Sequence, residues 1–328
     1  MSEDDPAGER FAVYEAQFDP LHTSRAARRR RKPVAHHTPK VSEAEILAML
    51  AEATEGLEGG FNTTYRPSRY EAEWLLSSLR PLYEQGVITD VVALVKGGKE
   101  ANVYRCAAHP NTGHTWLAAK VFRPRKFRNL RDDSVYREGR AVLDANGVAV
   151  RENDDRVRRA IGKKSDFGVQ VARTSWLMHE YTTLERLYRA GADVPQPVAS
   201  AENAILMAYV GDEHTPAPTL SETGLARREA VVLFRRVLHN IERMLGLGLI
   251  HGDLSAYNIL YWQGEITLID FPQVTCWQTN RRARLIFERD IRRTCEYFQR
   301  QGVDCDPEAI AGDLWQRLAI DLPMDFLE

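Results

Sequence analysis

The chain has 328 residues, with 44 basic and 46 acidic side chains and 44% apolar residues. That is enough for one large domain or two smaller ones with buried cores. A formal charge of -2 excludes a uniformly basic nucleic-acid coat and a disordered acidic solvator, but not a local basic patch.

Residues 1–41 read as a disordered basic tail. They carry the run Arg25-Ala26-Ala27-Arg28-Arg29-Arg30-Arg31-Lys32 and show no hydrophobic period. Such a run is either a solvated extension or an electrostatic arm for RNA or another polyanion. The acidic start lacks the apolar core of a secretory signal. No apolar run approaches the ~20 residues of a membrane span. Cys106, Cys276, Cys295 and Cys305 form no Cys-x-x-Cys pair that would suggest zinc or redox chemistry. Scattered thiols suit a reduced, cytoplasmic setting.

Residues 42–90 read as a helical region. Ser42 and Glu45 fit one capping box, and Ser68 and Glu71 a second. Tyr70, Trp74, Leu75 and Leu79 then lie near one helical face. From 91 the period changes. The apolar run 91–95, the turn 96–100 and the strands 101–106 and 116–122 form a β-meander opening. The segment 123–164 holds 13 Lys/Arg against 7 Asp/Glu and reads as a long functional loop, with a helix of its own over 131–143.

Further on, the pattern predicts a helix over 174–190, ended by Gly191. Extended chain follows at 194–198 and a buried strand at 204–210. A long helix covers 225–247, short strands 259–261 and 266–269, and two helices 281–298 and 306–318. Strands early and helices late suit an α+β protein of two lobes, β-rich over about 91–210 and helical over about 211–328, with a cleft between them.

The chemistry concentrates in His251-Gly252-Asp253-Leu254-Ser255-Ala256-Tyr257-Asn258-Ile259-Leu260. Asp253 and Asn258 stand five residues apart on a loop after a long helix, and Asp270 ends the apolar run 266–269. This is a phosphotransfer layout. Asp253 can orient an acceptor hydroxyl and take its proton. Asn258 and Asp270 offer hard oxygens to magnesium. Upstream, Lys120 is the one cation in the apolar strand Ala118-Ala119-Lys120-Val121-Phe122. A buried lysine without an anion would cost several kcal/mol or lose its proton. ATP phosphates provide that anion, and Glu180 is its natural second partner. The turn from Lys96, with Gly97, Gly98, Lys99 and Glu100, is placed to cover phosphates.

Together these residues resemble the RIO family of atypical serine/threonine protein kinases. The similarity is specific at Gly98-Lys99-Glu100-Ala101-Asn102-Val103-Tyr104, at 251–260 and at Ile269-Asp270-Phe271-Pro272-Gln273. It covers roughly 85–303. It implies a two-lobed protein-kinase-like fold over 91–328 without an activation segment; Asp270 is followed by Phe-Pro-Gln and no Ala-Pro-Glu appears downstream. It implies ATP and magnesium as cofactors. Lys120 looks like the phosphate lysine, with Glu180 its helical partner, and Lys99 and Glu100 belong to the phosphate turn. Met207 looks like the gatekeeper, and Ala208 and Val210 like the adenine-binding hinge. Asp253 looks like the catalytic aspartate, and Asn258 and Asp270 like metal ligands. The resemblance further implies autophosphorylation, with Ser134 and Ser165 as acceptor candidates, or an aspartyl phosphate at Asp270 discharged by water. It also suggests a ribosomal particle or RNA as partner, through 25–32. Two other classes share parts of the pattern: a small-molecule phosphotransferase of the aminoglycoside or choline kinase type, and an RNA-bound pseudokinase.

Overall fold

The computed structural model describes residues 61, 63–98, 100–123, 140–150, 154–163 and 165–321. The basic run 25–32, the capping box at 42–45, Lys99, Ser134 and most of the helix expected over 131–143 lie outside these residues.

The first described helix, α1 (Arg69–Glu84), starts at the Ser68–Glu71 capping box that the sequence predicts. Leu75, Leu79 and Leu82 recur at helical spacing and are fully buried. Each such leucine contributes about 2 kcal/mol by leaving water. They pack on an antiparallel sheet of order β1-β2-β3-β5-β4. Its strands are β1 (Ile88–Gly97), β2 (Ala101–Ala108), β3 (Trp116–Phe122), β4 (Pro197–Ala201) and β5 (Ala204–Ala208). Along β2 the side chains alternate: Asn102, Tyr104 and Cys106 are buried, while Ala101, Val103 and Arg105 occupy the other face. The central strand β3 is buried on both faces, and Lys120 is its one charged residue.

Among the described residues, two helices lie between β3 and β4. The charged α2 (Asp155–Lys163) packs along α3 (Asp166–Arg189). Sequence periodicity starts α3 eight residues too late. Its opening turns are partly exposed, Phe167 included, so no apolar stripe marks them; Ser165 caps them by accepting from the Gly168 N–H at 3.2 Å. The helix expected over 131–143 fails at its described end, because 140–143 is not helical and Leu143 instead bridges to Ala149.

The remainder is mainly helical. α4 (Arg227–Gly246), α5 (Ala283–Arg300) and α6 (Pro307–Asp321) surround the short pairs β6 (Leu249–Ile250) with β9 (Thr275–Cys276), and β7 (Ile259–Trp262) with β8 (Glu265–Leu268). Phe234 of α4 meets Phe298 of α5 with ring centroids 5.1 Å apart. This core reaches Phe122, Trp176 and Ile205 beneath the sheet. The expected α+β architecture, a β-sheet lobe and a helical lobe, is therefore present. All four cysteines are free thiols. Among the described residues no helix is long and apolar enough to cross a membrane.

Candidate functional site

Lys120 is the meeting point of the lobes. β3 pairs it with Val103 of β2 on one side and Ile205 of β5 on the other. Its Nζ donates to Glu180 Oε1 of α3 and to Asp270 Oδ1, at 2.5 Å each. Burial works against the ammonium charge, but Asp270 and Glu180 outweigh it and raise the lysine pKa. Glu180 is itself buried, and that burial pushes its carboxyl up against the pull of Lys120. Burial also opposes ionisation of Asp270. The charge and hydrogen bond of Lys120 prevail there and hold Asp270 below its usual range, with His251 and Lys96 adding smaller contributions.

Asp270 reaches Lys120 through an unusual backbone. Its φ is +72°, a left-handed conformation that Asp and Asn tolerate better than other side-chain-bearing residues. The chain then turns into buried Phe271. Arg140 donates to the carbonyls of Pro272 (2.8 Å) and Val274, so the charged segment is fastened at this residue to the loop after Asp270.

The loop between β6 and β7 carries the other predicted pair. Asn258 Nδ2 donates to Asp253 Oδ2 at 3.2 Å and to the Asp253 carbonyl at 2.9 Å. The other carboxylate oxygen of Asp253 accepts from Arg293 at 2.7 Å. Burial pushes the Asp253 carboxyl up to about 7, although Arg293 pulls it down. The loop is joined to the Asp270 segment twice: Ile269 N–H donates to the Asn258 carbonyl (3.0 Å), and His251 Nε2–H donates to the Ile269 carbonyl (3.2 Å). Burial lowers the His251 pKa and favours the neutral ring.

Gly252 precedes Asp253 for a steric reason. Its φ is +84°, and a Cβ there would lie 2.2 Å from the Gln273 carbonyl oxygen. Its N–H donates to Asp290 at 2.8 Å, and its carbonyl accepts from Arg289. α5 thus grips the loop at Gly252 and Asp253 together.

The structure therefore gathers Lys120, Glu180 and Asp270 into one cluster, and Asp253 and Asn258 into a second, linked through Ile269. Met207 pairs with Ala118 across β3 and β5. The Ala208 N–H donates to the Gln196 carbonyl (2.8 Å), and the Val210 carbonyl accepts from Ala217 (3.0 Å). Glu100 lies where the turn re-enters β2, its carbonyl accepting from the Arg123 N–H at 2.9 Å. The Ser165 hydroxyl, an acceptor candidate, is engaged in capping α3. Sequence reading missed Arg293, Asp290 and Arg140. Asp290 left a readable signal: it falls on the apolar stripe of Ala283, Ile286, Phe287 and Ile291, a charge at a core position.

Oxygen chemistry at this site fits magnesium. The Asn258 amide nitrogen donates twice to Asp253, which orients its oxygen elsewhere, and the Asp270 side chain is 43% exposed. Among the described residues no cluster of three or more His, Cys, Asp or Glu is placed to hold a metal by itself. One amide and one carboxylate suit a cation that completes its shell with phosphates and water.

A family model described as the RIO domain matches residues 103–310. The RIO-type serine/threonine-protein kinase Rio1 of Haloferax volcanii is 31% identical over 237 residues, 71% of this chain and 72% of that protein. The serine/threonine-protein kinase RIO1 of Chaetomium thermophilum is 29% identical over 235 residues, 68% of this chain and 42% of that protein. Human serine/threonine-protein kinase RIO3 is 32% identical over 129 residues, 39% of this chain and 25% of that protein. The matched part thus spans less than half of these two eukaryotic relatives.

Proposed function

The chain belongs to the RIO family of atypical serine/threonine protein kinases, and from that premise we propose that it transfers the γ-phosphoryl group of ATP, with magnesium, to a serine hydroxyl. The observation that carries the reading is Lys120 held between Glu180 and Asp270, with Asp253 and Asn258 on the adjoining loop.

In this reading Lys120 pairs with the nucleotide phosphates, and Glu180 keeps its ammonium aimed at them. The turn at Gly98, Lys99 and Glu100 covers the phosphates. Met207 borders the base. Because the Ala208 N–H and the Val210 carbonyl bond within the protein, adenine is read by the Ala208 carbonyl and the Val210 N–H. Asn258 and Asp270 hold magnesium, which neutralises phosphate charge when bound. Asp253 orients the acceptor hydroxyl and takes its proton, while Arg293 fixes the carboxylate in place. The lobes divide near 210, and residues 42–90 precede the kinase domain proper.

The acceptor is the chain's own serine or one on a bound partner, with a ribosomal particle or RNA recruited through 25–32. A second acceptor is supported by the exposure of Asp270. Its free carboxylate oxygen can take the phosphoryl group as ADP leaves, and water can then release phosphate, making the cycle an ATPase switch. Incubating the protein alone with γ-labelled ATP and magnesium separates these outcomes. Acid-stable label on serine supports the kinase. A base-labile, hydroxylamine-sensitive label with phosphate release supports the aspartyl phosphate. Absence of both signals, even with a ribosomal particle added, would overturn the reading.

A further inference from the structure

The amide of Asn102 sits, 4% exposed, beneath α1. Its Nδ2 donates to Tyr104 Oη (2.9 Å) and to Glu71 Oε1 (3.3 Å), and the Tyr104 hydroxyl donates to the same Glu71 oxygen. On its far side, Asn102 Oδ1 accepts from the Gly98 N–H (3.3 Å) and from Arg123 Nε and Nη2 (3.2 and 2.9 Å). Arg123 also reaches the other end of the turn, where its N–H donates to the Glu100 carbonyl.

The direction of this chain of bonds is dictated at Glu71. An ionised carboxylate only accepts. It therefore accepts from the Tyr104 O–H, leaving the phenol oxygen to accept in turn, and both acceptors demand the NH2 end of Asn102. The carbonyl end is thereby turned toward Gly98. Gly98 is itself held close, since a Cβ there would lie 2.7 Å from the Ala101 carbonyl oxygen.

We propose that Glu71 is a positioning residue for the phosphate-covering turn, acting through Tyr104 and Asn102 on Gly98. This deepens the nucleotide-binding reading above and rests on it. Glu71 lies in α1, ahead of the region 103–310 that the RIO domain matches, so a helix outside that region sets the shape of the turn.

Glu71 also serves the α1 capping box, reaching the Ser68 N–H at 3.4 Å, and the two roles separate experimentally. Gln keeps a capping box but can donate as well as accept, so Glu71→Gln preserves the cap and removes the enforced direction. Tyr104→Phe deletes the middle member. Ser68→Ala weakens the cap alone. Affinities of the full-length variants for Mg·ATP and for adenosine, which lacks phosphates, should be measured with thermal unfolding. Glu71→Gln and Tyr104→Phe should weaken ATP about five- to tenfold, the worth of one hydrogen bond, with adenosine held within about twofold. Ser68→Ala should lower Tm and leave the ATP-to-adenosine ratio unchanged. An unchanged ratio in both Glu71→Gln and Tyr104→Phe, while the unaltered chain binds ATP, would overturn the inference alone. Failure of the unaltered chain to bind Mg·ATP would sink the nucleotide site itself, and the inference with it.

Discussion

Lys120 Nζ lies 2.5 Å from Asp270 Oδ1, although 150 residues separate them in the chain. The contact crosses from the central strand of the sheet to the loop after β8. It joins a lysine that the sheet holds rigidly to a carboxylate that a left-handed residue presents.

Replacing Lys120 with Met tests that junction. Buried Glu180 would then face Asp270 without a cation. Breaking a buried pair from one side costs about 3–5 kcal/mol; the partial exposure of Asp270 places the loss at the lower end. The loss should shrink as pH falls, because Glu180, already biased toward its neutral form, takes up a proton. Urea unfolding at two pH values checks this, and ATP affinity should fall in parallel. Lys120→Arg keeps the charge and should keep most of the stability.

Asp270 can be probed without disturbing its backbone. Asn shares the tolerance of Asp for positive φ and leaves Lys120 paired with Glu180, so Asp270→Asn should lose only the Asp270 share of the ion pair in stability while losing magnesium-dependent ATP affinity. Asp270→Ala should lose both binding and about 1 kcal/mol of stability to backbone strain. Equal magnesium dependence in the Asn variant and the parent would remove the metal role.

Gly252→Ala should be among the more damaging small substitutions in the chain. The added methyl would meet the Gln273 carbonyl at 2.2 Å in a left-handed backbone, and relief would move Asp253. A loss of about 2 kcal/mol or more, with kcat reduced further than KM is raised, is the expected pattern. A neutral effect on both would show that the loop is not held as described.

The raised Asp253 carboxyl sets a pH expectation. Protonation removes the base, so kcat/KM should fall about tenfold per unit below its midpoint, and that midpoint should lie near 7. Arg293 opposes the burial of this group, so Arg293→Met should shift the midpoint upward. An acid limb near the ordinary aspartate value would assign the limb to another group.

Much of this site was readable because its signals are local. Asp253 and Asn258 share one loop, and Asp270 closes the next strand. Lys120 stands out as a lone cation in a strand with no polar alternation. What escaped is tertiary. Arg293 meets Asp253 across 40 residues, Asp290 meets Gly252 across 38, and Glu71 meets Tyr104 across 33. Glu71 was legible only as a cap, which describes its backbone neighbour and not its reach into the sheet. The fold followed the same division. α1 carried a clear helical period, and β2 and β3 were readable as strands, β3 by its continuous apolar run. The first turns of α3, partly exposed, carried none, because amphipathic periodicity reports burial and these turns have little; α2 is amphipathic, but its short apolar face lies in a highly charged stretch and does not stand out there.

The most direct test of phosphotransfer at Asp253 measures Mg·ATP binding and turnover side by side in the parent and in Asp253→Asn. The amide keeps the shape of the loop but cannot take a proton. Affinity should stay within about threefold while turnover falls by about 10²–10⁴. Turnover equal to the parent at equal affinity would contradict the assignment of Asp253.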